Sequence, residues 1–378
     1  MHAAPATTPV VERRVRPQLA TPLRIALVAP LYESVPPRMY GGTERVVAYL
    51  ADALVDLGHD VTLYASGDSR TRATLRASRA SAIRLDPAPL KSDLAAHIAM
   101  LHDLRRRAGD FDVLHFHTDI LHLPMFEAEA DRTVTTLHGR LDMTDLDGVF
   151  RRYDRYPLVS ISDHQRGPLP DANWAATVHH GLPLELFPPP AHSPGDAIAF
   201  VGRIAPEKRP DRAIRIARRA GRKLRIAAKV DAADVRYWNE TIAPMVDGPD
   251  IEFLGEVDEA GKRSVLADAA ALVFPIDWPE PFGLVMIEAM ACGTPVVAWR
   301  CGSVPEVIEE GVTGFVVDSE EEAAAAIERA VKLDRTRVRQ AFERRFTART
   351  MASRYAELYA AAADTSRESV NASGPLAA

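Results

Sequence analysis

Two rhythms take turns along this chain: short apolar runs, and stripes of apolar residues at helical spacing. Leu23 to Val28 is an apolar run that predicts a strand. A loop containing Pro and Tyr follows, and then Gly41-Gly42-Thr43. Beyond it, Val46, Val47, Leu50, Ala53, Leu54 and Leu57 fall on one helical face, and Gly58 stands where such a helix ends. Asp60 to Tyr64 alternates as a strand. Further strands are predicted at Asp112 to Phe116, Thr133 to Leu137, Leu158 to Ile161 and Thr177 to His179. A helix with a basic end is predicted between Pro89 and Ala108.

The rhythm then breaks and restarts. Pro188-Pro189-Pro190 and His192-Ser193-Pro194-Gly195 mark a linker. After it come a strand at Ala197 to Val201 and a helix at Pro210 to Ala220 closed by Gly221. Strands follow at Leu224 to Ala228, Ile251 to Leu254, Ala271 to Phe274, Pro295 to Ala298 and Phe315 to Val317, with helices fitting between them. The fold class is therefore α/β, in two halves of about six parallel strands each. The expected divisions are a disordered leader (1–22), a first half (23–190), a second half (195–346), a closing helix (347–363, centred on Ala348 to Ala362) and a small, polar, disordered tail (364–378, from Asp364).

Composition narrows the partners. The 378 residues suit two domains. A formal net charge of −6 provides no global basic field, so nucleic acid is not expected as a partner. No run of about 18 apolar residues is present, so no transmembrane segment is predicted. The leader is rich in Ala, Pro, Thr and Arg and lacks the apolar region of a secretory signal. Its basic arm, Arg13, Arg14 and Arg16, has peripheral contact with a lipid surface as its alternative reading. Cys292 and Cys301 make neither a disulfide framework nor a CxxC pair, and they read as small buried thiols in a cytoplasmic protein. Nothing in the sequence indicates an oligomeric state.

The candidate chemistry centres on Glu280-Pro281-Phe282-Gly283-Leu284-Val285-Met286-Ile287-Glu288. A predicted strand precedes it and a turn and strand follow it, so it sits at a strand-to-helix turn, where open parallel sheets bind ligands. A helix starting at Phe-Gly-Leu offers unpaired N–H groups and a partial positive charge to phosphate. Glu280 before the start, and Glu288 about a turn and a half inside, can accept hydrogen bonds from hydroxyls on either side of that phosphate. Sugar hydroxyls on one side and ribose hydroxyls on the other would fit.

Other positions carry two readings each. Arg203 leaves the end of a strand and Lys208 lies just before a helix; they are either solvated surface cations or a pair that neutralises a diphosphate. Gly41-Gly42-Thr43 is either a tight turn capped by Thr43 or a bare backbone that approaches a phosphate or an acceptor. His138-Gly139 follows a strand, as a core histidine or as a hydrogen-bonding group facing a sugar. His115, His117 and His122 form an H-x-H-x4-H set, but no nearby Cys or carboxylate completes a metal site, so no metal is expected. Ser162-Asp163-His164 are neighbours in sequence only and make no catalytic triad. GxSxG, Walker A and GxGxxG patterns are all absent.

Arg203…Lys208 with Glu280…Glu288 together resemble the donor-site motifs of the retaining family 4 glycosyltransferases, two-domain enzymes of the GT-B fold (glycosyl transferases group 1). The resemblance runs from Leu23 to about Ala362. Gly41-Gly42-Thr43-Glu44, His138-Gly139, Gly302-Ser303-Val304-Pro305-Glu306 and Gly311-Val312-Thr313-Gly314 also match segments of that family. His180-Gly181 sits where many members carry Asn-Gly, and His180 is given no role. The resemblance implies two Rossmann-like doubly wound domains facing across a cleft, with a last helix that crosses back onto the first.

It also implies roles at the matching positions. Arg203 and Lys208 hold the donor diphosphate, Glu280 contacts hydroxyls of the transferred sugar, and the amides at Gly283, Leu284 and Val285 lie near sugar and phosphate. Glu288 binds the ribose, His138 approaches the sugar's 6-position, and Gly42 lines the meeting place of donor and acceptor. The loop from Glu256 to Lys262, with Val257 and Lys262, lies near the base. The implied reaction is transfer of a hexosyl unit from a UDP-, GDP- or ADP-sugar to a hydroxyl of a glycan, lipid or small molecule, with retention and with no cofactor beyond the donor. The alternatives are an NAD-dependent oxidoreductase and a catalytically silent nucleotide-sugar-binding protein. Loops around 31–42, 68–80 and 138–150 are expected to build the acceptor pocket, whose ligand the sequence does not specify.

Overall fold

Apolar runs too short for helices assemble here into two all-parallel sheets. The computed structural model of the chain describes residues 22–39, 41–188 and 194–372. The leader and most of the linker thus lie outside the described residues.

The first sheet contains β1 (Arg24–Val28), β2 (Asp60–Ser66), β3 (Thr74–Arg79), β4 (Val113–Phe116), β5 (Thr133–Thr136), β6 (Leu158–Ser160) and β7 (Trp174–Thr177), in the order β3-β2-β1-β4-β5-β6-β7. The second contains β8 (Ile198–Arg203), β9 (Leu224–Lys229), β10 (Ile251–Gly255), β11 (Leu272–Phe274), β12 (Val296–Trp299) and β13 (Gly314–Val317), in the order β10-β9-β8-β11-β12-β13. Helices cover both faces, so the central strands are largely buried: Ile25, Ala26, Leu27 and Val28 have no exposed surface. In each sheet the strand order reverses beside the first strand, at β1 and β8. Such a reversal opens a crevice at the carboxyl ends.

Three expectations change. The first sheet has seven strands instead of six, because β3 was read as part of the loop 68–80. Its sequence, TLRASR, puts arginines on a partly exposed edge and lacks an apolar run. The strand expected at Thr177 to His179 ends where that prediction begins, since Trp174 and Ala176 already pair with β6. The last helix runs Ala348–Ala372, past Asp364, into the segment expected to be a disordered tail. Polar residues alone do not stop a helix, and Gly374-Pro375, which would, lie further on.

Several contacts join the halves, among them those of the last helix and of Glu306. The last helix packs on the first sheet, where Tyr359 Oη lies 2.6 Å from His115 Nδ1 and Tyr355 Oη lies 2.8 Å from Thr136 Oγ1. Glu306, in the second half, accepts from the amides of Asp163 and His164 in the first, each at 2.7 Å, with His179 Nε2 at 3.3 Å. Burial alone would raise the Glu306 pKa, but the bonds from His179 and the two amides outweigh it and hold the pKa low. A lowered pKa adds stability above the unfolded-state value, about 4.3, and that stability is lost as pH falls through the folded-state value. Glu306→Ala should therefore melt several degrees below wild type at pH 7, a cost of about 1–3 kcal/mol for a charged acceptor. Melting curves should converge as pH drops below about 4.

Candidate functional site

Carboxyl ends of strands from both sheets face one cleft of about 410 Å³, within the usual range for small-molecule sites, about 300–1,000 Å³. Arg203 is the last residue of β8, and Lys208 closes the short turn after it. The turn leaving β11 carries Glu280 and runs into the helix Leu284–Ala291. The turn after β10 leads into the helix Glu259–Asp268, which carries Lys262. From the first half come Gly41, Gly42 and Arg45 at the start of the helix Gly42–Asp56, and His138 and Gly139 beyond β5. Arg203, Lys208, Glu280, His138, Gly42, Gly283, Leu284, Val285, Glu288, Val257 and Lys262, all singled out from sequence, line this cleft. Of the three loops expected to bind an acceptor, 31–42 and 138–150 reach it through Met39, Gly41, Gly42, His138 and Gly139, and 68–80 contributes nothing.

The helix Leu284–Ala291 begins bare. Its cap, Gly283, has φ +75° and no side chain to bond the first turn. The positive φ favours glycine, and a Cβ there would crowd Met286 Cε at 2.8 Å and the Phe274 ring at 3.2 Å. The first amide of that turn to find a partner inside it is Met286 N, which bonds Gly283 O at 3.0 Å. Gly283, Leu284 and Val285 thus bring the uncapped start of the helix to the cleft wall, where unpaired amides attract anions.

The cations of the cleft are already engaged. Lys208 pairs with Glu280, and its ammonium lies 4.8 Å from the centre of the Trp278 ring. Trp278 Nε1 donates to the same Glu280 oxygen at 2.9 Å. Arg203 pairs with Glu207 at 2.9 Å and lies 3.5 and 3.6 Å from Asp231 and Asp234. Among lining residues, Arg45, Arg203, Lys208, Lys229 and Lys262 balance Glu256, Asp258, Glu259, Glu280 and Glu288. An anion entering this cleft would have to take cations over from carboxylates.

A second ionic chain crosses from one half to the other. Glu288, 3 % exposed, accepts from Lys262 Nζ at 2.5 Å. Lys262 lies 3.3 Å from Glu259, which pairs with Arg45 of the first half. Neither Arg45 nor Glu259 stood out in the sequence, because the pairing exists only once the halves face each other. Trp278 was also missed, although it lies two positions before Glu280 in the same turn.

Behind the Glu280 turn lies a strap from the second half. Ser303 N–H donates to Glu280 O at 3.0 Å, and Ser303 Oγ donates to Phe282 O at 2.7 Å. The Phe282 ring packs on His180, with centroids 4.9 Å apart. These contacts set the position of the Glu280 carboxylate and of the helix start.

The histidines are spent on separate partners. His122 Nε2 meets Thr135 Oγ1 at 2.9 Å, His115 Nε2 meets Thr136 Oγ1 at 2.8 Å, and His117 Nδ1 meets His138 Nε2 at 2.8 Å. Burial pushes His138 and His122 down to about 3, so both are neutral at pH 7. Among the described residues, no group of three or more His, Cys, Asp or Glu is arranged to hold a metal ion. Cys292 is buried as expected, whereas Cys301 is only partly buried, its Sγ lying 2.9 Å from Trp278 O at the foot of the site turn.

Residues 187–345 match the family model described as glycosyl transferases group 1, and residues 40–176 match glycosyltransferase family 4. The phosphatidyl-myo-inositol mannosyltransferase of Mycolicibacterium smegmatis is 28 % identical over 340 residues, 81 % of this chain and 84 % of that one. Among solved structures, AviGT4, a glycosyltransferase involved in avilamycin A biosynthesis, superposes with a TM-score of 0.71 at 26 % identity, covering 91 % of this chain and 98 % of its own. Anabaena Alr3699/HepE, in complex with UDP and glucose, shares the fold with a TM-score of 0.68 at 18 % identity, covering 89 % of this chain and 99 % of its own.

Proposed function

Because the chain belongs to the family 4 glycosyltransferases of the GT-B fold, we propose that it moves a hexosyl unit from a nucleoside diphosphate sugar to an acceptor hydroxyl, with retention at the anomeric carbon. One observation carries this reading: Lys208, Arg203 and the bare start of the helix Leu284–Ala291 converge on one cleft with Glu280 and Glu288 on either side. The names of similar proteins agree with the donor class. One acts as a mannosyltransferase, and another was solved with UDP and glucose.

The diphosphate lies against the amides of Gly283, Leu284 and Val285, with Lys208 and Arg203 as its counter-charges. Glu280, released from Lys208, accepts from hydroxyls of the hexose. Glu288 keeps Lys262 on one oxygen and offers its remaining lone pairs to the ribose hydroxyls. Val257 lies towards the base, and Gly42 brings bare backbone to the side where the acceptor enters. His138 meets the sugar at its 6-position.

In the chemical step the acceptor oxygen forms a bond to the anomeric carbon on the face from which the diphosphate departs. The bond from that carbon to the phosphate oxygen breaks, and its electron pair stays on the leaving group. The acceptor's proton passes to that same oxygen. Positive groups fixed where the leaving charge grows are worth about 3–4 kcal/mol each, by the measure of other preorganised donors. They supply the positive field without calling on a metal. The halves closing around the donor exclude water and suppress hydrolysis. Among the described residues no helix is long and apolar enough to cross a membrane, and we place the reaction in the cytoplasm, where free thiols such as Cys292 persist.

A thermal-shift panel of UDP-, GDP- and ADP-sugars tests the donor. One of them at a hundred times its Kd should add about 2.7 kcal/mol of stability, and NADH should add none. The Glu288→Gln variant should lose most of that shift. A panel in which no nucleotide sugar moves the melting point would contradict the reading. Once an acceptor is in hand, the anomeric coupling constant of the product reports retention directly.

A further inference from the structure

Four imidazoles stand in file from the first sheet to the cleft: His115, His117 and His180 are buried and His138 is partly buried. Ring centroids lie 4.1 Å apart from His115 to His117, 5.0 Å from His117 to His138 and 5.3 Å from His138 to His180. Burial holds all four neutral at pH 7. Each ring therefore has one N–H and one lone pair, and its partners decide which nitrogen carries which.

His115 is tied at both nitrogens, to Tyr359 and Thr136. His117 shares one hydrogen bond with His138, Nδ1 to Nε2 at 2.8 Å, and its own Nε2 is buried without a partner. Two arrangements satisfy that bond. In the first, His117 Nδ1–H donates and its Nε2 keeps an unpaired lone pair. In the second, His138 Nε2–H donates and His117 is left with a buried, unpaired N–H. Orphaned buried N–H groups are rarer than under-used acceptors, and each costs a full desolvation penalty. The first arrangement wins. His138 then carries its proton on Nδ1, the ring nitrogen left over for the cleft that it lines.

We infer that His117 is a positioning residue which locks His138 as the Nδ1–H tautomer, so that the cleft is offered a hydrogen-bond donor and not a lone pair. The inference rests on the reading that His138 meets the transferred sugar. It says how that contact is polarised: the ring donates to a sugar oxygen. An anchor of protein atoms runs behind it, from the last helix through Tyr359 and His115 to His117.

Four variants and one kind of spectrum test it. His117→Leu should lower kcat at least tenfold with donor KM within about twofold. His117→Asn, whose amide can donate from the place of Nδ1, should stay within about threefold of wild type. In a His138→Ala background, His117→Leu should change kcat less than twofold, because the group it positions is gone. Two-bond proton–nitrogen spectra of protein labelled at histidine, with the His138 signal assigned by its loss in His138→Ala, should show one Nδ1–H tautomer in wild type and a mixture in His117→Leu. Equal losses from His117→Leu in both backgrounds, or an Nε2–H tautomer for His138 in wild type, would overturn the inference. If His138→Ala itself turns over normally while the tautomer is as described, the fault lies in the sugar contact assigned to His138, and the functional part of the inference falls with it.

Discussion

Lys208→Ala should lower kcat by about 10²–10³-fold, the cost of removing one preorganised charge-stabilising donor, while the protein stays folded. On the proposed mechanism Lys208 has two tasks. It satisfies Glu280, beside the face of Trp278, and with donor bound it would answer the charge that grows on the departing diphosphate. Only the second task belongs to the transition state, so kcat and kcat/KM should fall together while donor affinity changes far less. Removing the ammonium leaves Glu280 with the Trp278 indole as its remaining bond at that oxygen. The stability cost should be modest, about 1 kcal/mol for one partly buried pair. Lys208→Arg should not restore activity, since a broad planar guanidinium does not fill the place of a compact ammonium. A folded Lys208→Ala protein within tenfold of wild type would count heavily against the mechanism.

The second large effect is expected at a residue that does not line the cleft. Gly302 has φ +58°, and a Cβ there would sit 2.3 Å from Glu280 O, 2.4 Å from Glu280 N and 2.9 Å from Pro279 C. These are backbone atoms and cannot swing aside. Gly302→Ala must push the turn that carries Glu280 and leads into the helix Leu284–Ala291, or shift the strap that holds it through Ser303. A misplacement of about 1 Å at reacting groups costs about 10²-fold, so turnover should fall by roughly that much. Donor affinity should fall as well, because the amides proposed to hold the diphosphate ride on the same turn. Steady-state kinetics beside a melting curve checks this. Loss of turnover in a protein that melts near wild type is the expected pattern, and unchanged turnover would show that the turn tolerates displacement.

Both predictions concern groups that a sequence presents unequally. Glu280, Gly283 and Glu288 were legible because a strand-to-helix turn keeps them local: apolar runs place the strand, Gly283 the start, and spacing the second carboxylate. Arg203 and Lys208 were legible as ends of a strand and a turn, and the pairing of β8 with β11 in one sheet brings them beside Glu280. What stayed hidden depends on distant parts of the chain. Arg45 meets Glu259 across 214 positions, and Glu306 grips the amides of Asp163 and His164 across more than 140. No local pattern encodes such pairs. His115 and His117 drew notice as possible metal ligands, since i and i+2 share one face of a strand. Their partners, Tyr359 and His138, instead come from a helix near the chain's end and from the turn after β5. The edge strand β3 failed for a different reason: TLRASR carries two arginines on a half-exposed surface, so the apolar signal that marks the inner strands is missing.

The central claim is a place for the leaving diphosphate, and a crystal structure with bound donor, or with the nucleoside diphosphate product, tests it most directly. The β-phosphate should lie within hydrogen-bond reach of the amides around Gly283 to Val285, with Lys208 turned from Glu280 to a phosphate oxygen and the ribose on Glu288. A diphosphate bound elsewhere, with Lys208 still held by Glu280 and the helix start bare, would contradict it.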